Sequence, residues 1–322
     1  MRVFVTGGSG FVGGHLIARL VADGEAVAAL ARTDSADARV SGLGAEPIRG
    51  SLSDTPAIEK GMAGSTRVFH LAASVGSGGN SEEMWETNVV GTANVLDAAR
   101  ETGVRRLVYV STESVFLDGR ALDGVTEETP VPLSGHLSPY AETKAMAERM
   151  VVEANGDGLE TVVCRPRLVW GPGDETWLPG LLEKVERGVF RWVDGGSHPG
   201  STCHVLNLVE ALVLAAERGS PGEIYNVTDG EPLTFREFAS AYLAAAGIPD
   251  DFGSVPGWLM RAAGAAMEGA WRLLRLDSQP PVNRVEASMV SHAMVVDDRK
   301  ARAELGYQPV ITIEEGMAAL SG

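Results

Sequence analysis

Cysteine is scarce in this 322-residue sequence, where only Cys164 and Cys203 occur. A lone pair so far apart is no disulfide framework, so both read as reduced core thiols of a cytoplasmic protein. Basic clusters are missing as well. Lys and Arg total 27 against 43 Asp and Glu, and the resulting net charge of −16 repels phosphodiester backbones and anionic membranes. Nucleic acid is therefore excluded as an expected partner. No apolar stretch approaches the ~20 residues of a membrane span, and the one before Gly7 is too short for a signal peptide. Aromatics are few at 6%, yet 44% hydrophobic and 22% charged residues make the balance of a folded globular chain. Internal repeats, charge blocks and low-complexity linkers are absent. The length suits one large domain with an appended lobe.

What is present is an alternation of periods. Arg2 to Val5 form a short β-branched run, Gly10 to Ala22 carry helical spacing, and Ala26 to Leu30 return to a strand pattern. Further strands are predicted at Glu46 to Ile48, Arg67 to Leu71, Leu107 to Val110 and Thr161 to Cys164. Helices are predicted at Asn88 to Thr102 and Tyr140 to Ala154. Strands alternating with helices imply an α/β fold, a doubly wound parallel sheet of the Rossmann kind. Beyond Pro166 the alternation weakens and turns such as Gly171-Pro172-Gly173 appear, marking a smaller C-terminal substrate lobe. The expected division is a dinucleotide-binding domain over 1–166, rejoined by 204–228 through a strand near Glu223 to Val227. Segments 167–203 and 229–322 then build the lobe, with a shared cleft for ligands.

The first strand runs through Thr6-Gly7-Gly8-Ser9-Gly10-Phe11-Val12-Gly13 directly into a helix, the context that makes a glycine pattern a dinucleotide fingerprint. Gly7 permits the tight turn, Gly10 lets the backbone approach a pyrophosphate, and Gly13 allows close helix-to-strand packing. No Lys-Ser or Lys-Thr follows, which excludes a triphosphate loop. The second strand closes with Leu30-Ala31-Arg32. An arginine there accommodates a 2′-phosphate, and Thr33 and Ser35 add donors, so NADP(H) is favoured over NAD(H). The alternative is a solvated Arg32 paired with Asp34 or Asp37.

Tyr140 and Lys144 stand four residues apart at a helix start and share one face. Bringing a phenol toward neutrality takes about 4 kcal/mol of phenolate stabilisation, which a neighbouring ammonium helps supply. Tyr140 is then a general acid or base, and Thr112, at a hydroxyl-rich strand end, is the expected donor to a substrate oxygen.

Together these motifs resemble the extended short-chain dehydrogenase/reductase family, over essentially the whole chain. Gly7, Gly10 and Gly13 match its T-G-x-x-G-x-x-G. His70-Leu71-Ala72-Ala73 resembles its cofactor-side strand end, Asn88-Val89-Val90-Gly91-Thr92 the start of its fourth helix, and Arg165-Pro166 its passage into the substrate lobe. The resemblance implies a catalytic Thr112, Tyr140 and Lys144. It implies cofactor contacts from Gly7, Gly10, Phe11, Val12, Arg32, Ser51, Leu52, Leu71, Ala72, Ala73, Asn88, Tyr140, Lys144, Pro166, Leu168 and Val169. It also implies a homodimer pairing the helices near 86–102 and 140–154.

Departures narrow the branch. Ser51 stands where many members carry an adenine-binding aspartate. Leu168 replaces the asparagine of sugar-nucleotide enzymes, and Gly200-Ser201-Thr202 lacks their arginine. Glu113-Ser114 supplies one carboxylate where dehydratases carry two. Trp170, Trp177, Trp192, Trp258 and Trp271, with an amphipathic stretch from Pro256 to Leu276 broken by Arg261, Glu268, Arg272 and Arg275, suggest an apolar pocket with a lid or lobe-packing helix. The profile is most similar to the branch of 3-beta-hydroxysteroid dehydrogenases and dihydroflavonol reductases. His198, His204 and Glu210 lack a metal-binding pattern, and no metal is expected. The expected activity is NADP(H)-dependent interconversion of a secondary alcohol and a ketone on a bulky apolar small molecule. A nucleotide-sugar epimerase that retains NAD, and a non-catalytic dinucleotide sensor, are the alternatives.

Overall fold

Seven strands pair in parallel in a computed structural model that describes residues 1–75, 81–175, 177–274 and 282–320. They are β1 (Arg2–Thr6), β2 (Ala26–Ala31), β3 (Glu46–Arg49), β4 (Arg67–His70), β5 (Arg106–Val110), β6 (Glu160–Pro166) and β7 (Ile224–Val227). The spatial order is β3-β2-β1-β4-β5-β6-β7. It reverses between β1 and β4, and that switch opens a crevice at the carboxyl ends of the strands.

Alternation along β1 assigns its side chains to opposite faces. Val3 and Val5 pack with Leu16, Ile17 and Leu20 of α1 (Phe11–Ala22) and with Leu208 and Leu212 of a helix, Val205–Arg218, on the same face. Phe4 points the other way, toward Ile58, Met62, Val95 and Ala99. These belong to Thr55–Met62 and Gly91–Glu101. Helices therefore cover both faces. A Cβ on Gly61 would lie 2.2 Å from the Phe4 ring, so that helix seats close to the sheet.

α2 (Pro139–Glu153) carries the Tyr140 and Lys144 pair, and Pro139 opens it behind a Ser138 cap that accepts from the Ala141 amide at 3.2 Å. The helical pattern predicted from Asn88 begins earlier, at Ser81–Trp85, and widens into a π-turn over Glu86–Val90 before Gly91. Within it Asn88 is fully buried and its carbonyl accepts from the Thr92 hydroxyl at 2.6 Å.

Four short strands form a separate, smaller sheet, ordered Leu233–Thr234, Pro199–Gly200, Met294–Val296 and Leu122–Val125. One of its strands thus comes from the first half of the chain. The five tryptophans do not gather around one pocket, as expected above. Trp170 and Trp192 are fully buried core residues whose indoles donate to Asp229 and to the Asp250 carbonyl. Trp258 is 65% exposed, and Trp177 lines a cavity. Large rings with a satisfied N–H serve the core of this lobe first.

The amphipathic stretch is helical over Gly257–Leu274 and packs on Arg284–Ser291, with Gly264 allowing close approach to the Asn283 carbonyl. Arg275 and Leu276 lie outside the described residues. Among those described, no helix is long and apolar enough to cross a membrane.

Candidate active site

The glycine loop sits at the β1 edge of the crevice. Gly7 has φ +73°, and a Cβ there would fall 2.7 Å from the Ala72 amide nitrogen. At Gly13 a Cβ would fall 2.1 Å from the Gly7 carbonyl, so only glycine lets α1 start this near the strand. Gly10 meets only the Gly7 carbonyl, at 3.3 Å, and no side chain caps α1. Its first amides are therefore unclaimed by the chain, as an anion site at a helix start requires. Phe11 packs edge-on to His15, and Val12 lies against the core. These features fit the pyrophosphate of a dinucleotide.

Arg32 follows β2 and is exposed. Asp34 and Asp37, which could have neutralised it, bind Arg49 instead at 2.8 and 2.6 Å. Among the described residues Arg32 has no hydrogen bond or ion pair. Ser51 is partly exposed and bonds Ser53 at 2.8 Å. Leu52 is buried against Gly91, and its carbonyl accepts from Asn94.

Behind the loop runs a chain of buried hydrogen bonds. The Thr6 hydroxyl accepts from the Ala72 amide at 3.3 Å, so it donates to His70 Nδ1 at 2.6 Å. His70 Nε2–H then donates to Thr92 Oγ1 at 3.0 Å, whose own hydrogen goes to the Asn88 carbonyl. That direction fixes a neutral imidazole. Burial, with a smaller effect of Lys144, lowers the His70 pKa to about 3. The chain holds Leu71 and Ala72 in place, since the Leu71 amide also bonds the Thr6 carbonyl at 3.2 Å. Asn88 braces Ala73's neighbour Ser74 through both amide atoms and donates to Thr143 on α2. All its polar atoms are thereby engaged with protein.

Thr112 lies two residues beyond the end of β5 and caps a short turn, accepting from the Ser114 amide at 3.1 Å. It donates to Glu113 Oε2 at 2.9 Å. Tyr140 is held near neutral form rather than primed as phenolate: burial raises its pKa first and the Glu113 charge adds to this, with Thr112 opposing. The ammonium expected to counter this lies elsewhere. Lys144 Nζ donates to the Val110 carbonyl at 2.6 Å and sits 4.1 Å over the Tyr109 ring. Burial lowers the Lys144 pKa to about 7, against a raising effect of Glu148. The expected help from Lys144 to the Tyr140 phenol is thus missing from the chain's own electrostatics, because desolvation dominates both groups.

Arg167 carries no part in the motif reading, and Glu113 enters it only as the single dehydratase-type carboxylate; the structure brings the two together beside Thr112. Both are buried, and Arg167 Nε lies 3.6 Å from Glu113 Oε1. Burial raises the Glu113 pKa and lowers that of Arg167. In sequence Arg167 looks like an ordinary residue after Arg165-Pro166, and no spacing signals it. Pro166 ends β6; Val169 pairs with Cys203. Leu168 adopts φ +40°, a left-handed conformation in which asparagine is more at home than leucine.

The histidines and Glu210 flagged above stay apart in role. Glu210 binds Arg19 at 2.6 Å, His198 faces Asp194 at 3.1 Å, and His204 caps Val205–Arg218 while meeting the Trp170 ring edge-on. Cys164 and Cys203 are buried and free, and burial pushes the Cys164 thiol up to about 12.

A glycine loop with an uncapped helix start, and a threonine, tyrosine and lysine at the same carboxyl edge of the parallel sheet, are the features expected of a nicotinamide-dependent oxidoreductase. Residues 4–255 match the 3-beta hydroxysteroid dehydrogenase/isomerase family, and the chain belongs to it. It is an NAD(P)-dependent enzyme acting on alcohol and ketone groups. It is 43% identical over 320 residues to 4-hydroxy-2-methyl-3-oxo-4-farnesyl-3,4-dihydroquinoline-1-oxide ketoreductase of Stigmatella aurantiaca, covering 99% of this chain and 96% of that one. It is 38% identical to 2-alkyl-3-oxoalkanoate reductase of Stenotrophomonas maltophilia (strain K279a), covering 99% and 98%. The DesIV dTDP-glucose 4,6-dehydratase structure from Streptomyces venezuelae, with NAD bound, shares the fold at a TM-score of 0.78 and 24% identity, covering 100% and 96%.

Proposed function

We propose that this enzyme is an NADP(H)-dependent ketoreductase that interconverts a ketone and a secondary alcohol on a bulky, mostly apolar small molecule. The observation that carries the reading is the desolvated Tyr140 phenol beside Thr112, on a helix that flanks the carboxyl end of the parallel sheet where the glycine loop also lies. Burial keeps the phenol protonated, which suits a proton donor to a carbonyl oxygen as it gains negative charge. Thr112 holds that oxygen, and Lys144 binds the nicotinamide ribose and steadies the phenolate once the cofactor is seated. NADP(H) supplies or takes the hydride when bound. Unpaired Arg32, with Asp34 and Asp37 occupied by Arg49, supports the phosphorylated cofactor. The ketoreductase names of the two most similar relatives described above, with oxo groups on large or alkyl-bearing substrates, support the substrate class.

Tyr140→Phe tests this. Turnover of any accepted ketone should fall by 10²–10⁴-fold, a range expected of a lost general acid, while NADPH binding, followed by nicotinamide fluorescence, stays intact. Retained reductase activity would overturn the reading. NADPH should bind more tightly than NADH in the parent and lose that advantage in Arg32→Ala; equal affinities in the parent would end the NADP(H) assignment. Buried free Cys164 and Cys203 support a reducing, cytoplasmic setting. Pairing of two chains through the helices near 86–102 and 140–154 belongs to the same reading, and light scattering tests it.

A further inference from the structure

A small pocket, partly open to solvent, lies beside the smaller sheet. Its walls are mostly apolar, with Leu168, Trp177, Phe238 and Met289 among them. The polar wall is unusual for a chain of net charge −16. Arg167, His198 and His292 line it, and none of its described lining residues is a carboxylate.

Arg167 is the informative member. Its side chain is 7% exposed, and among the described residues it makes no hydrogen bond at all. Nε is buried and unpartnered. Its one charged neighbour is Glu113, at 3.6 Å, too long for a hydrogen bond. A buried guanidinium nitrogen with no acceptor is costly to the fold unless something else accepts from it. Gly200 lies beside it, with a Cβ position 3.7 Å from Nη2. The same arginine lies 3.6 Å from Glu113, which accepts from Thr112, so Arg167 links the pocket to the catalytic threonine through Glu113.

We infer that Arg167 is a specificity-determining residue that takes a carboxylate of the substrate in a two-pronged contact, so that the preferred substrate is an oxo acid with an apolar tail rather than a neutral ketone. Planar carboxylate matches the guanidinium fork, and the apolar walls take the tail. The inference rests on the ketoreductase reading only for which carbonyl is reduced; the binding claim stands apart from it.

The test separates the two. Calorimetry with 3-hydroxydecanoate and with its methyl ester, on the NADP⁺-saturated protein, reads carboxylate recognition without turnover. The parent should bind the acid at least tenfold more tightly than the ester. Arg167→Gln should abolish the preference, and Arg167→Lys should restore part of it. Should Arg167→Gln fail to fold, Glu113→Gln serves in its place. Removing the competing carboxylate should tighten binding of the acid several-fold and leave the ester unaffected. Equal binding of acid and ester by the parent would overturn the inference, and so would an Arg167→Gln variant, or a Glu113→Gln variant used in its place, whose acid-to-ester ratio matches the parent's. Acid preference with no reduction of 3-oxodecanoate would leave the inference standing and sink the ketoreductase reading.

Discussion

Thr112 donates its single hydroxyl hydrogen to Glu113 Oε2 over 2.9 Å, so the Tyr140 oxygen competes with a buried carboxylate for the same donor. Glu113 also raises the Tyr140 pKa directly by its charge. Both effects keep the phenol neutral.

Glu113→Gln therefore releases the phenol to titrate at lower pH. In the alcohol-oxidation direction, where Tyr140 acts as base, the rising limb of kcat/KM against pH should move to lower pH relative to the parent. An unmoved limb would show that Glu113 does not act on the phenol.

Lys144 gives a stability signature. Its folded pKa is about 7 against an ordinary 10.5, so between these values the unfolded chain binds more protons than the folded one. Stability should rise with pH across that window. In Lys144→Met the increment is missing, and the difference in urea midpoint between parent and variant should shift in the parent's favour from pH 7 to pH 10. A constant difference would contradict burial of a neutral amine.

Gly13 admits no side chain. The Gly7 carbonyl would stand 2.1 Å from a new Cβ, so Gly13→Ala must push α1 off the loop. A loss of about 1–3 kcal/mol in stability is expected from such overpacking, together with weakened dinucleotide binding. Thermal melts with and without NADPH check both.

Glu148 and Arg165 form a buried two-pronged ion pair at 2.5 and 2.7 Å, with Arg165 also over the Phe116 ring. Arg165→Met leaves Glu148 as an uncompensated buried charge and should cost about 3–5 kcal/mol. The double replacement of both by Met should recover much of that loss in chemical denaturation. Equal destabilisation of single and double variants would show that packing, not charge, dominates there.

The sequence by itself determined the parallel sheet, the glycine turn at its switch point and the shared face of Tyr140 and Lys144. Each is a local matter of period, backbone freedom or spacing along one helix, readable without knowing what lies opposite. Tertiary structure alone decided the partners. Arg49, from the next strand, takes Asp34 and Asp37 and leaves Arg32 bare. Lys144 turns to the Val110 carbonyl, and Glu113 meets Arg167, which lines the pocket. Such choices depend on which strands neighbour one another and on how far burial strips water from each charge. Neither property is written into the spacing of residues along the chain.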